Sequence, residues 1–338
     1  MMKRESTKRD RASRAVLMGA FVVTAMAVFV GVGAAQDMNT HHHATAGPES
    51  ANAEAIQDWA KEQLAKSPRH REWVKVKNGN REVNSVVVYP EVKKKATAVV
   101  VIHEIFGMSD WVQQLTDELA EAGYIVIAPD LLSGMGSKGG GTSDFDGNAV
   151  RQAIGSLSAD QVTGDLNAVA DYVSKLPGAN GKVVVAGFCY GGSQTFNFAT
   201  NRPSLKAAFV FYGTPPANNA QGQPFAIDKT ALGRIAAPVY GFYAENDARV
   251  DATIPAAVEA MKELKKPYEP VIYAGAGHGF MRAGEPNAPE PKAPVSKGDE
   301  AADKKAADDY QKALAAYKAN RKARDDAWVR WKAILAKI

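Results

Sequence analysis

From Trp73 onward the chain alternates between two hydrophobic periods. Short β-rich runs, "WVKVK", "VNSVVVYP", "ATAVVVI", "YIVIAPD", "KVVVAG", "KAAFVFYG", "APVYGFYAEND" and "YEPVIYAG", are separated by stretches whose apolar residues recur every three or four positions. The latter predict helices over 110–122, 159–176, 192–200 and 253–264, with a closing helix near 323–337. Near-continuous Val, Ile and Ala runs suit strands buried on both faces. Their alternation with helices predicts an α/β fold: a mostly parallel, twisted sheet with helices on both sides and an antiparallel start made by the first two strands.

Two stretches break the rhythm. "SGMGSKGGGTSDFDG" (133–147) is a Gly-rich loop after a strand end, where sheets of this kind build their ligand crevice. "AGEPNAPEPKAPVSKGDE" (283–300) is Pro-rich and reads as extended, followed by an Ala/Lys/Asp helix that reads as solvated surface.

Upstream of the alternating region the pattern is different. Residues 15–36 carry no charge and end in small residues, Gly33-Ala34-Ala35, that suit an export cleavage site. The chain is therefore expected to be exported, to a periplasm or to the medium; the competing reading is an uncleaved membrane anchor, because the apolar run is long enough to span a bilayer. A polar linker follows, with a short helix around 54–66. His41, His42 and His43 in the linker read as low-complexity sequence, since no carboxylate or cysteine is placed to complete a metal site.

Charge changes the picture only by being confined. The formal net charge is +4, and Lys3, Arg4, Lys8, Arg9, Arg11 and Arg14 set against Glu5 and Asp10 account for all of it. The rest of the chain is neutral overall, which removes the argument for a nucleic-acid surface. An apolar content of 46% suits a folded domain and excludes disorder of the whole chain.

Cys189 is the single cysteine, so no intramolecular disulfide forms. It lies in "GFCYGG", between a buried strand and a helix, where a nucleophile elbow of the GxSxG type would place cysteine instead of serine. The helix N-terminus favours the thiolate, which is the reactive form. A small buried cysteine among packing glycines is the alternative. In such folds the acid and the histidine follow the nucleophile in chain order, and Asp247 and His278 both fall just after later strands. Asp251 is the rival to Asp247, but reads better as the cap of the helix that follows. Oxyanion donors are expected from the backbone N–H of Tyr190, after the nucleophile, and from Ile105 in "HEIFG".

Together "HEIFG", "GFCYGG", the Asp247 turn and "GHGFMR" resemble the dienelactone hydrolase family of α/β-hydrolases, over residues 73–338. The resemblance implies an α/β-hydrolase fold over 67–338, following 1–35 (signal or anchor) and 36–66 (linker and short helix). It implies a carboxymethylenebutenolidase-like hydrolase with Cys189 as nucleophile, His278 as base and Asp247 as its orienting acid. Glu104 matches a glutamate held beside the resting thiol, and a carboxylate there disfavours the thiolate until substrate displaces it. Arg282, and with looser spacing Arg151, match arginines that bind a substrate carboxylate. The expected ligand is thus a small anionic lactone or ester, with no metal and no organic cofactor. Two other readings stand beside it: a broader carboxylesterase or thioesterase for neutral substrates, and a non-catalytic exported binding protein of the same fold. The export segment, the 283–300 extension and Gly155, where a family tyrosine is expected, depart from the family pattern.

Overall fold

The computed structural model describes residues 57–218 and 225–338. The expected export segment, the linker and His41, His42 and His43 lie outside the described residues, as do the first positions of the early helix. Among the described residues no helix is long and apolar enough to cross a membrane.

Eight strands form one sheet: β1 (Arg71–Asn78), β2 (Arg81–Val88), β3 (Ala96–Ile102), β4 (Ile125–Pro129), β5 (Ala179–Phe188), β6 (Ala208–Phe211), β7 (Val239–Asn246) and β8 (Tyr268–Gly277), in the order β1-β2-β4-β3-β5-β6-β7-β8. β2 runs antiparallel to both β1 and β4, and every other neighbouring pair is parallel. The antiparallel start and parallel body follow from the sequence pattern: every residue of β3 and β4 is buried, as strands covered on both faces require.

Alternation along the strands divides the core in two. Val100 and Ile102 of β3, with Val185 of β5 and Val210 of β6, pack against Val162, Leu166, Val169 and Val173 of α4 (Ala159–Ser174). Val99 and Val101, with Phe188, Phe209 and Phe211, face the other way, onto Trp111, Leu115 and Leu119 of α2 (Asp110–Glu121) and Trp331 of α10 (Glu300–Leu335). The remaining helices are α1 (Asp58–Lys66), α3 (Gly147–Gly155), α5 (Tyr190–Asn201), α6 (Lys229–Gly233), α7 (Ala248–Asp251), α8 (Ile254–Glu263) and α9 (Phe280–Ala283).

Helix α10 differs from expectation. The Ala/Lys/Asp stretch and the closing helix are one element of 36 residues, opened by the Asp299 side chain, which accepts from the N–H groups of Ala301 and Ala302. Its buried positions, Ala323, Arg324, Ala327, Trp331 and Leu335, are spaced for one helix face and lie only in its last third. The Pro-rich strap before it is tied to the helix at both ends: Arg321 donates to the Pro286 carbonyl at 3.1 Å, and Lys297 N–H donates to Asp303 at 2.9 Å.

A charged cluster is buried where α2, α10 and the start of the strap meet. Arg324 donates to Glu118 at 2.7 Å and to both Glu285 oxygens at 3.1 Å, and Trp111 Nε1 donates to Glu285 at 3.2 Å. Burial, and then the charge of Glu285, push the Glu118 carboxyl up to about 8 in spite of Arg324. From the ordinary carboxyl range up to about 8 the folded protein therefore keeps a proton that the unfolded chain releases, so stability falls as pH rises through that window. Between pH 5 and pH 8 the parent should lose several degrees more in melting temperature than Glu118→Gln, which cannot ionise. Parallel melting curves would remove Glu118 as the titrating group.

Candidate active site

The elbow is built by close approach of backbone. Cys189 follows β5 and caps α5 with φ 55° and ψ −114°, a conformation that L-residues rarely hold. A Cβ on Gly187 would stand 2.0 Å from the Gly191 carbonyl oxygen, and one on Gly191 would stand 2.2 Å from that of Ile102. The two glycines therefore let α5 leave the sheet edge at once, directly over β3. Cys189 N–H donates to the Phe211 carbonyl at 3.1 Å, and the residue is 4% exposed. Tyr190 opens α5, so its N–H belongs to the first turn, whose donors the helix itself leaves unused. Ile105, buried, follows the end of β3, the strand beside β5.

His278 follows β8 and Asp247 follows β7, and the structure brings them together: His278 Nδ1 is hydrogen-bonded to Asp247 Oδ2. The loop is fixed one residue earlier, where Gly277 N–H donates to Asn320 of α10 at 2.8 Å. The imidazole also lies within electrostatic reach of Cys189. Burial pulls the imidazole pKa down, but the negative charge of Cys189 and the hydrogen bond to Asp247 outweigh it and lift the pKa to about 10. The arrangement thus favours a protonated imidazole beside the Asp247 carboxylate at neutral pH. Asp251 takes no part in this pairing, and it does not cap the following helix either: it ends α7, and Thr253 occupies the N-cap of α8.

Glu104 and Arg282, read from the sequence in separate roles, are partners. Arg282 Nε donates to Glu104 Oε2 at 2.9 Å, and the carboxylate is nearly fully buried. Arg282 and Arg151 also converge: each guanidinium carbon lies 5.1 Å from the centre of the Phe106 ring. Arg151 reaches this position from α3, a helix hidden in the sequence because it begins on glycine at the end of a Gly-rich stretch. Gly155, its last residue, faces open space where a Cβ would meet nothing within 4 Å.

The Gly-rich loop is held by two aspartates. Asp130 accepts from Thr142 N–H at 2.7 Å and from Thr142 Oγ1 at 2.8 Å, and the same Oγ1 accepts from Met108 N–H at 2.9 Å. The loop is thereby tied to the segment carrying Glu104, Ile105 and Phe106. Asp144 accepts from Gly140 N–H at 2.9 Å. His103 completes the frame: its Nε2 accepts from Leu131 N–H at 3.2 Å, which leaves Nδ1–H to donate to the Glu104 carbonyl at 2.8 Å. Burial lowers its pKa, so the ring serves as a neutral strut. Sequence reasoning passed over Phe106, Thr142 and Tyr212; only the adjacency of Phe106 to "HEI" and of Tyr212 to a strand end could have drawn attention to them. Among the described residues no cluster of His, Cys, Asp or Glu is placed to hold a metal ion.

Comparison with known proteins agrees with this architecture. The model of the dienelactone hydrolase family matches residues 83–338. The chain belongs to the dienelactone hydrolase family. It is 30% identical over 185 residues to a Yersinia pestis protein named "Putative carboxymethylenebutenolidase", covering 54% of this chain and 67% of that one. A Saccharolobus solfataricus protein of the same name is 30% identical over 232 residues, covering 59% and 84%. The crystal structure of a "Putative Dienelactone Hydrolase" from Klebsiella pneumoniae superimposes with a TM-score of 0.56 at 23% identity, over 74% of this chain and 98% of that one, and has the same α/β-hydrolase fold. The chain is therefore a hydrolase of the dienelactone hydrolase type, with its elbow, acid and histidine at the carboxyl edge of the sheet.

Proposed function

We propose that this protein opens small lactones or esters that carry a carboxylate, through an acyl-enzyme on Cys189. The observation that carries the anionic preference is the convergence of Arg151 and Arg282 on Phe106, beside the loop of Glu104 and Ile105. Two guanidinium groups at one wall of the site are suited to a carboxylate, which each can bind with paired N–H donors. The names of the curated relatives point to the same substrate class.

In the proposed cycle the substrate carboxylate competes with Glu104 for Arg282. The Cys189 thiolate attacks the carbonyl carbon, and the N–H groups of Ile105 and Tyr190 hold the negative oxygen. His278 gives its proton to the departing alkoxide or enolate, which in a lactone stays attached as the opened chain. The neutral imidazole then takes a proton from water, the hydroxide attacks the thioester, and the carboxylic product leaves as the thiolate and imidazolium are restored. Asp247 keeps Nδ1–H bonded and stabilises the ring when it is charged.

The test is a carboxylate-bearing lactone compared with its methyl ester. Arg282→Ala should lower kcat/KM for the anionic substrate by about 10–100-fold, the range for a lost hydrogen bond to a charged group, and should largely spare the ester. Equal losses on both would favour a general esterase acting on neutral substrates.

A further inference from the structure

Tyr212, just past the end of β6, is fully buried and has φ 40°, a left-handed backbone that a bulky residue seldom adopts. The neighbours impose this conformation. Tyr212 N–H donates to the Phe242 carbonyl at 2.8 Å, and the next residue, Gly213, is so close to α5 that a Cβ on it would stand 2.2 Å from the Gly192 backbone. The sheet and the nucleophile helix thus aim the phenol into the site, and strain of this kind persists where surrounding packing over-determines it.

Three site groups meet the ring. Its edge contacts the His278 imidazole, with centroids 5.0 Å apart, and it packs against Phe280 at 5.4 Å. Its hydroxyl donates to Glu104 Oε1 at 3.4 Å. Because Arg282 takes the other oxygen, Oε2, the Glu104 carboxylate is divided between a neutral donor and a charged one. Burial and the nearby negative charges of Glu104 and Cys189 hold the phenol pKa well above its ordinary value, in spite of Arg282, so the O–H persists as a donor.

We propose that Tyr212 is a positioning residue that sets selectivity for anionic substrates, by holding Glu104 through Oε1 while the substrate carboxylate takes Arg282. This rests on the reading that an anionic substrate binds at Arg282. The hydroxyl loosens the internal ion pair before substrate arrives and keeps the displaced carboxylate from following the guanidinium. Without it, the buried carboxylate depends more heavily on Arg282 and competes more strongly with the incoming anion.

Tyr212→Phe keeps the ring against His278 and Phe280 and removes only the oxygen. Its selectivity for a carboxylate lactone over the methyl ester should fall about tenfold, and the loss should reside in KM. In a Glu104→Gln background the same replacement should leave that selectivity unchanged, because the group it acts through is gone. Replacing Tyr212 with 3-fluorotyrosine, an isosteric and stronger donor, should move selectivity upward, which gives a readout even if the phenylalanine variant does not fold. Losses shared equally by both substrates, or selectivity that does not respond to the fluorine, overturn the proposal. Arg282→Ala separates the two levels: if it lowers selectivity for the carboxylate lactone while Tyr212 variants leave selectivity unmoved, the role of Tyr212 fails alone. Equal losses on lactone and methyl ester in Arg282→Ala defeat the underlying reading instead.

Discussion

Cys189→Ala should lower the hydrolysis of activated lactones and esters by a factor of about 10⁴ or more, with the melting temperature close to the parent's. The expectation of a large loss comes from the geometry of one atom's surroundings. The thiol stands at the strained turn that leads from β5 into α5, within electrostatic reach of His278, whose Nδ1 is held by Asp247. Alanine keeps the backbone and removes the nucleophile, leaving the oxyanion donors and binding groups to supply the residual rate. The fold should survive because alanine at φ 55° carries much the same backbone strain as cysteine, and the lost sulfur leaves only a small gap. Full activity in this variant sinks the acyl-enzyme mechanism. A parent protein that is inactive on a broad ester and lactone panel, and whose thiol reacts with iodoacetamide no faster than in denatured protein, would instead support a binding protein.

Gly191→Ala should be as damaging to activity for a different reason, and should damage stability too. The added methyl would stand 2.2 Å from the Ile102 carbonyl oxygen and 2.5 Å from that of His103, and neither can turn away because both belong to backbone at the end of β3. Relief requires α5 to rise off the sheet, which moves the Tyr190 N–H and the Cys189 side chain together. We expect a loss of about 3 kcal/mol or more in unfolding free energy, beyond the usual cost of an added methylene, and activity near that of Cys189→Ala. Denaturant unfolding and kcat/KM read the two effects separately. A variant with parental stability would mean that α5 is less tightly seated on β3 than these distances indicate.

The inner strands, β3, β4 and β6 most of all, were legible in the sequence because they are covered on both faces, and such strands announce themselves as Val, Ile and Ala runs. All eight appear where those runs lie. The chain order of Cys189, Asp247 and His278 was legible for a related reason: each follows a strand, and parallel strands end on one edge. What stayed hidden depends on partners distant in the chain. Arg324 and Glu118 are 206 positions apart, and a charged residue in an Ala/Lys/Asp helix gives no local sign that it will be buried. The unity of α10 was hidden likewise, since its apolar spacing covers only the last third. The pairing of Glu104 with Arg282, and the contact of Tyr212 with both Glu104 and His278, exist only once β3, β6 and β8 have taken their places in one sheet. Asp251 was misread because a polar residue shortly before a helix is a good cap in general, whereas here a four-residue helix intervenes and ends on it.

The two aspartates under the Gly-rich loop also bear on how this enzyme could diversify. By composition the loop looks like the most permissive part of the site, yet a side chain at Gly141 would lie 2.1 Å from Asp130 and one at Gly136 would lie 2.4 Å from Asp144. Variation is barred there by neighbouring carboxylates and not by any need for suppleness. Ser137, Lys138 and Gly139, at the exposed tip, meet no such barrier of bulk, and Gly139 has nothing within 4 Å of a Cβ, although its φ of +74° still favours glycine. A lineage seeking new acyl groups, or a laboratory library imitating one, would find its room at that tip, through substitutions at Ser137 and Lys138 or through added residues, while the rest of the loop stays as it is.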